Sequence, residues 1–219
     1  FFSLKSIKII HIYFQLLVYN LNTTQSTYIF KMSIKIRIKN SFDEKLVKNH
    51  VFFTNQDFKI SCFNKLSIFK HSNFINKSIN SNRSNDKNFL SFDIGPTQRI
   101  ILIKIKNNQS TLNIEKIGAD FYSYLKSNSF FKLTFYELNI RNANSNNQYF
   151  FDEFIHGAEL KSYEFNKYKS KKESRIFEID VLNKSKSFKL NKDKRFKSLI
   201  EGTNFTKDLV SEPGNILHP

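Results

Sequence analysis

The sequence predicts an α/β domain: a mixed, mostly parallel sheet flanked by helices, followed by a long helix. Three observations carry this expectation. Runs of strand period alternate with runs of helical period in the order strand, helix, strand, helix, strand. One run, Ile100–Ile103, is apolar without a break, as in a strand buried on both faces of a layered sheet. Hydrophobic residues make up 40% of the 219 residues, with 25 Phe and 9 Tyr, which is enough for one domain with a substantial core and argues against global disorder.

The first stretch, Phe1 to Lys31, stands apart. It holds the apolar run Ile7–Val18 with Lys5 and Lys8 beside it. A secretory signal needs a small-residue cleavage site, and Asn20–Thr24 offers none. As a membrane span the run is too short, and Lys8, His11 and Gln15 interrupt it. The chain begins with Phe, and its only methionine is Met32. Residues 1–31 are therefore read as an upstream leader, with the domain beginning at Met32.

In Ser33–Lys39, Ile34, Ile36 and Ile38 alternate with charged residues, the pattern of a strand with one wet face. Val51–Thr54 and Phe89–Ile94 are strands, and Asn73–Asn88 between them reads as an exposed polar loop. Gly95-Pro96 turns the chain into Arg99–Ile105, the central strand. Ile114, Ile117, Phe121, Tyr124 and Leu125 recur at helical spacing, with Thr111 or Asn113 as cap and Glu115 in the first turn. Lys132–Leu138 is a strand and Asn139–Asn147 a polar loop. Gln148–Leu160 is a helix, and Arg175–Val181 is a strand burying Phe177, Ile179 and Val181. The domain spans residues 32–183, and residues 184–212 form a linker region and helix. Pro213 stops that helix near Ser211, and residues 213–219 open a further domain. The last helix has two apolar stripes, Phe196, Leu199, Ile200, Thr203 and Val210 on one side and Gly202, Phe205 and Leu209 on the other. Two stripes suit a helix held between two bodies; with one body absent, the second stripe, Phe205 and Leu209, is uncovered, which predicts poor solubility or self-association.

The formal net charge of +16 suggests a nucleic-acid partner, but 29 lysines and only 6 arginines supply the cations. Alanines number only 3, so A/T-rich codon usage accounts for the composition, and arginine is the better reader of bases and phosphates. The aromatic and basic run Tyr163, Phe165, Lys167, Tyr168, Lys169, Lys171 and Lys172 keeps a nucleic-acid-binding module as the alternative reading. A single cysteine, Cys62, rules out an internal disulfide and fits a reducing, cytoplasmic setting.

Candidate chemistry is sparse. Cys62 with His50 and His71 lacks a third group at a recognisable spacing. Glu153-Phe-Ile-His156 is half of a carboxylate-bridged metal motif without its second copy, and reads as an ordinary exposed helix face. Walker, dinucleotide-fingerprint, zincin and nucleophile-elbow motifs are absent from the sequence. No residue is assigned a catalytic, metal-binding or cofactor-binding role.

Two strings point further. Gly157, Leu160, Tyr163, Phe165, Tyr168 and Lys169 form one; Asp208, Leu209, Val210, Glu212, Pro213, Asn215 and Pro219 form the other. Together they resemble the cytosolic leucyl aminopeptidase family, with support from the stretch Gly95 to Ile105 and from Gly118 to Leu125, so that the resemblance covers about residues 32–219. It implies the macrodomain-like N-terminal domain and linker helix of a hexameric, cytoplasmic aminopeptidase that releases N-terminal residues from peptides with two divalent metals, zinc or manganese. In that family the metal ligands and the catalytic Lys and Arg lie in the C-terminal domain. The family signature Asn-Thr-Asp-Ala-Glu-Gly-Arg-Leu is not in this sequence. The resemblance therefore implies a non-catalytic part with an assembly and access-shaping role, whose partners are the catalytic domain and further copies, and no membrane partner. A small-ligand pocket at the strand carboxyl ends is a third expectation, by fold analogy alone.

Overall fold

The computed structural model describes residues 34–41, 43, 46–60, 70–82, 87–106, 108–169, 176–183 and 194–213. The chain divides into two units, Phe1–Lys31 and Met32–Pro219, and all described residues fall in the second. Six strands are described: β1 (Ile34–Lys39), β2 (Asn49–Thr54), β3 (Phe89–Asp93), β4 (Arg99–Lys104), β5 (Lys132–Tyr136) and β6 (Phe177–Leu182). Five helices accompany them: α1 (Ser72–Asn82), α2 (Thr111–Asn128), α3 (Glu137–Ala143), α4 (Phe150–Lys161) and α5 (Lys194–Ser211). The sheet order is β1-β6-β5-β2-β4-β3, parallel throughout except for the antiparallel edge pair of β3 and β4. This is the mixed, mostly parallel α/β sheet expected.

Strand parity builds the two faces. Ile34, Val51, Phe53, Ile101, Ile103, Leu133, Phe135, Phe177, Ile179 and Val181 join one core cluster with residues of α2 and α4. Phe52, Leu90, Ile100, Leu102, Tyr136 and Leu182 join a second cluster with Ile75 and Ile79 of α1. Ile100 to Ile103 are all 0% exposed, because β4 lies between β2 and β3 with apolar layers on both sides.

The α2 and α4 helices meet backbone to backbone. A Cβ on Gly118 would sit 1.9 Å from the Phe154 carbonyl oxygen, and one on Gly157 would sit 1.9 Å from the Glu115 carbonyl oxygen. Only glycine admits this approach.

Several local expectations are corrected. Residues 72–82 form helix α1, where a loop over 73–88 was expected. Ile75 and Ile79, spaced i and i+4, are buried and outweigh the Asn/Ser composition around them. Residues 137–143 form α3, where a loop over 139–147 was expected. The Asn139 side chain accepts from the Phe53 N–H at 2.7 Å and donates to the Phe53 carbonyl at 2.9 Å, standing in for a strand partner. Ser110, rather than Thr111 or Asn113, caps α2, its hydroxyl accepting from the Asn113 N–H.

A polar row crosses the sheet. Arg37, Asp180, Thr134 and His50 are register partners on successive strands and so share one face. Arg37 Nε donates to Asp180 at 2.8 Å, Lys39 Nζ donates to the other Asp180 oxygen at 2.8 Å, and His50 Nδ1 lies 2.6 Å from the Tyr136 hydroxyl. Burial raises the Asp180 pKa, but Lys39 and Arg37 outweigh it and hold the carboxyl below the usual range.

Candidate functional site

The terminal helix α5 is the feature that ordinary folding does not explain. Phe196 is buried, while Ile200, Thr203, Asn204, Lys207 and Asp208 are half-buried and lie on the same side of the helix. This side faces α4 and the loop after it. The Phe196 ring packs 4.8 Å from the His156 ring. Lys207 Nζ donates to the Leu160 carbonyl at 2.9 Å and sits 5.1 Å above the Tyr163 ring. The Tyr163 hydroxyl donates to Asp208 at 2.7 Å. Just past the helix, Glu212 accepts from Lys167 at 2.5 Å and from the Tyr168 hydroxyl. Lys126 of α2 reaches Glu164 at 2.5 Å and ties the same loop to the body.

The other side of α5 carries Leu199, Phe205, Leu209 and Val210, at 49%, 54%, 40% and 81% exposure. The docked side is thus apolar in its first turns, at Phe196 and Ile200, and polar from Thr203 onward, while four large apolar side chains point outward. Of the two stripes in the sequence, Phe205 and Leu209 are uncovered as expected. Leu199 and Val210 belong with them rather than with Phe196, because Lys207 and Asp208 occupy the docked side.

The electrostatics follow the contacts. Burial, then the Asp208 carboxylate, pushes the Tyr163 phenol up to about 12. Lys167 first, and then Tyr168, holds Glu212 below the usual carboxylate range. Burial pushes Glu159 of α4 up to about 7, and among the described residues no cation pairs with its carboxyl.

The motif residues are placed as follows. Glu153 and His156 are not an exposed face: each is 6% exposed, because α4 turns them toward α2. Glu153 accepts from Thr111 at 2.9 Å and from Asn147 at 2.8 Å, and His156 Nδ1 lies 2.8 Å from Glu115. Glu115 thus meets α4 rather than serving the first turn of its own helix. These bonds engage Glu153 and the Nδ1 of His156, while the buried His156 Nε2 has no hydrogen-bond partner among the described residues. Among the described residues, no group of three or more His, Cys, Asp and Glu could hold a metal ion, so the two-metal group implied by the resemblance fits no described set. Cys62 lies outside the described residues, His50 is committed to Tyr136, and His71 is exposed. In the basic run, Tyr163 and Lys167 hold α5, Tyr168 is half exposed while bonded to Glu212, and Lys171 and Lys172 lie outside the described residues.

A cavity of about 210 Å³ does open at the carboxyl ends of β2 and β4, among Thr54, Asn55, Lys59, Ile105 and Asn142. The Asn55 side chain there accepts from the Asp57 and Lys59 N–H groups and shapes the loop in which Phe58 takes φ 57°. Among the described residues no helix is long and apolar enough to cross a membrane.

No protein-family model matches the chain. Over 65 residues, 29% of its length, the chain is 42% identical to a probable cytosol aminopeptidase of Aquifex aeolicus. Over 69 residues, 30% of its length, it is 42% identical to a probable cytosol aminopeptidase of Persephonella marina. Over these stretches, about 30% of its length, the chain is similar in sequence to cytosol aminopeptidases. Its fold overlays on a tomato leucine aminopeptidase mutant with a TM-score of 0.61 at 18% identity, over 85% of this chain. The relation is partial: the matched stretches span 13% and 14% of the two curated relatives, and the overlay spans 40% of the tomato chain. A macrodomain of Thermus aquaticus DarG overlays with a TM-score of 0.45 over 68% of this chain.

Proposed function

We propose that this chain is the N-terminal, non-catalytic domain of a leucyl aminopeptidase, a two-metal exopeptidase that releases N-terminal amino acids from peptides. Residues 32–183 form the domain, residues 184–212 the linker with α5, and residues 213–219 lead into the catalytic domain. The observation that carries this reading is α5, held to its own domain by Phe196, Lys207 and Asp208 while Leu199, Phe205, Leu209 and Val210 stay outward, in a chain similar over part of its length to cytosol aminopeptidases. A helix arranged this way is built to meet a second body. The domain's work is assembly, through α5, and shaping access to the catalytic domain. The metals, zinc or manganese, are assigned to no residue of this chain, because among the described residues no three or more His, Cys, Asp and Glu side chains come together. The parent is a cytoplasmic homo-oligomer, a hexamer by family resemblance.

The test uses the chain as it stands, with Mn²⁺ or Zn²⁺ and a leucyl anilide. No turnover is expected, and metal-dependent release of leucine would overturn the non-catalytic assignment. Joined after Pro213 to the catalytic domain of the Aquifex aeolicus relative, the chain is expected to support leucine release; a folded but inactive chimera counts against the parentage. The rival reading, a basic nucleic-acid-binding module, keeps the net charge of +16 in its favour. However, Tyr163 and Lys167 of its proposed platform are engaged with Asp208 and Glu212. Retention of single-stranded or duplex nucleic acid at low salt, lost steeply as salt rises, would revive it.

A further inference from the structure

We infer that the cavity at the carboxyl ends of β2 and β4 is a binding site for a small carboxylate with a short aliphatic body. Three observations carry this assignment: the place of the cavity in the sheet, the groups that line it, and its size.

The cavity lies where the chain reverses its direction across the sheet. From β2 the connection runs by way of α1 to β3 and β4, on the face of the second core cluster. From β5 it runs by way of α3 and α4 to β6, on the face of the first cluster. Because β2 and β5 are neighbours, the segments leaving their carboxyl ends part to opposite faces. In an open α/β sheet the crevice at such a point is where ligands bind. The strands themselves separate there. Their pairing is confined to His50 with Thr134 and Val51 with Phe135, and beyond it the Asn139 side chain takes up the Phe53 N–H and carbonyl. The cavity opens just past this wedge, between the end of β2 and the last residues of α3.

The lining is polar and cationic at the mouth and apolar within. Asn55, Lys59 and Asn142 are exposed, whereas Ile105 is buried and Ile60 and Ala143 are half-buried. The Asn55 oxygen accepts from the Asp57 and Lys59 N–H groups at 3.0 and 2.9 Å, so the side chain is left with its NH2 to offer a ligand. Those two bonds and the buried Phe58 ring fix the loop that carries Lys59 and Ile60, so the site is formed before a ligand arrives. Among the described lining residues there is no carboxylate. Donors beside an ammonium select an anion, and a ligand amino group would meet no acidic partner. The volume is about 210 Å³. A cavity of roughly 150 Å³ holds benzene, and drug-sized ligands take roughly 300–1,000 Å³. The site is therefore short of a nucleotide and matches an acid the size of isocaproate.

Saturation-transfer NMR of the whole chain with isocaproate tests the site, with half-saturation expected on the order of 1 mM. The neutral isocaproamide is expected to bind about tenfold more weakly, because it lacks the charge that Lys59 and the amide donors read. Inorganic phosphate at equal concentration is expected not to displace the acid, since it covers neither Ile60 nor Ile105. Asn55→Asp keeps an oxygen for the Asp57 and Lys59 N–H groups and replaces the NH2 by a second oxygen, and it is expected to weaken binding about tenfold. Lys59→Gln is expected to weaken it about fivefold. Lys77→Gln, on an exposed position of α1, is expected to leave binding unchanged, which separates the site from the general attraction of a chain of net charge +16 for anions. Half-saturation beyond about 20 mM, equal binding of the amide, displacement by phosphate, or an equal loss in Lys77→Gln and Lys59→Gln would each overturn the site. Where Asn55→Asp lowers the melting temperature, Lys59→Gln decides, because it leaves the backbone bonds of the loop in place. None of these readouts involves peptidase activity, so the site and the aminopeptidase parentage fail separately.

Discussion

Glu159→Gln should stabilise this protein above pH 7 and do little below pH 4.5. Burial pushes the Glu159 carboxyl up to about 7, against 4.5 for the same group in the open. Below pH 4.5 the carboxyl is neutral in both the folded and the unfolded chain, and it costs nothing. Between 4.5 and 7 the unfolded chain ionises while the folded chain holds its proton, and folded stability falls with rising pH. Above 7 both states are ionised, and the folded state carries the full cost of a poorly solvated carboxylate. Two and a half pH units correspond to about 3 kcal/mol, a ceiling that water reaching the half-buried group reduces. For a chain of this size that is a rise in Tm of roughly 5–10 °C at pH 8. The assay is urea denaturation of both chains, followed by circular dichroism, at half-unit steps from pH 4 to 8.5. Taking the difference between the chains cancels every other titrating group. A difference that stays flat across this window, or a Glu159→Gln chain less stable than the wild type at pH 8, would refute the claim that a poorly solvated carboxylate is being held there.

Gly157→Ala and Gly118→Ala should each cost at least about 3 kcal/mol in chemical denaturation, because the added Cβ meets backbone oxygen at 1.9 Å and two helices must separate. Retained stability in either variant would mean that α2 and α4 do not touch through their glycines. Ser129 ends α2 at φ 57° and ψ 39°, with its N–H bonded to the Leu125 and Lys126 carbonyls, so Ser129→Gly should raise stability by about 1 kcal/mol. A loss on that substitution would place the serine outside the left-handed region. In a spectrophotometric titration, Tyr163→Phe should leave the absorbance rise near pH 10 intact and remove amplitude only near pH 12, since the wild-type phenol is held up by burial and Asp208. Loss of amplitude near pH 10 instead would show that α5 does not cover it.

Much of the fold was legible in the residues. Ile100–Ile103 announced a strand buried on both faces, and the alternation of Phe177, Ile179 and Val181 with Glu178 and Asp180 announced which side chains of β6 reach the core under α2 and α4. Helix α1 was missed because Ile75 and Ile79 are its only buried residues in a run of Asn, Ser and Lys, too weak a stripe to outweigh composition. Helix α3 was missed because its anchor is Asn139, whose side chain completes the hydrogen bonding of Phe53, a partner 86 residues away. The candidate site was legible only in part. The polar stripe of Thr203, Asn204, Lys207 and Asp208 has helical spacing in the sequence, but a polar stripe is normally the outer one. Tyr163 and Leu160, which turn it inward, give no sign of that role in their own neighbourhood.

The sequence by itself determined the repeating order of strands and helices, the parity of each strand, the end of α5 before Pro213 and the relation to cytosol aminopeptidases. The first three are local properties, set by backbone geometry and by the spacing of apolar groups within one element, and the last rests on strings of identical residues. The tertiary structure decided the strand order β1-β6-β5-β2-β4-β3, the contact of Gly118 and Gly157 with opposing backbone, the burial of Glu153 and His156, the desolvation of Glu159, and the direction in which α5 faces. Those depend on which surfaces meet, and a helix with two usable faces is oriented by the partner that binds one of them more strongly. Here Tyr163, Lys167 and the Leu160 carbonyl bind the polar face, and the apolar face is left outward.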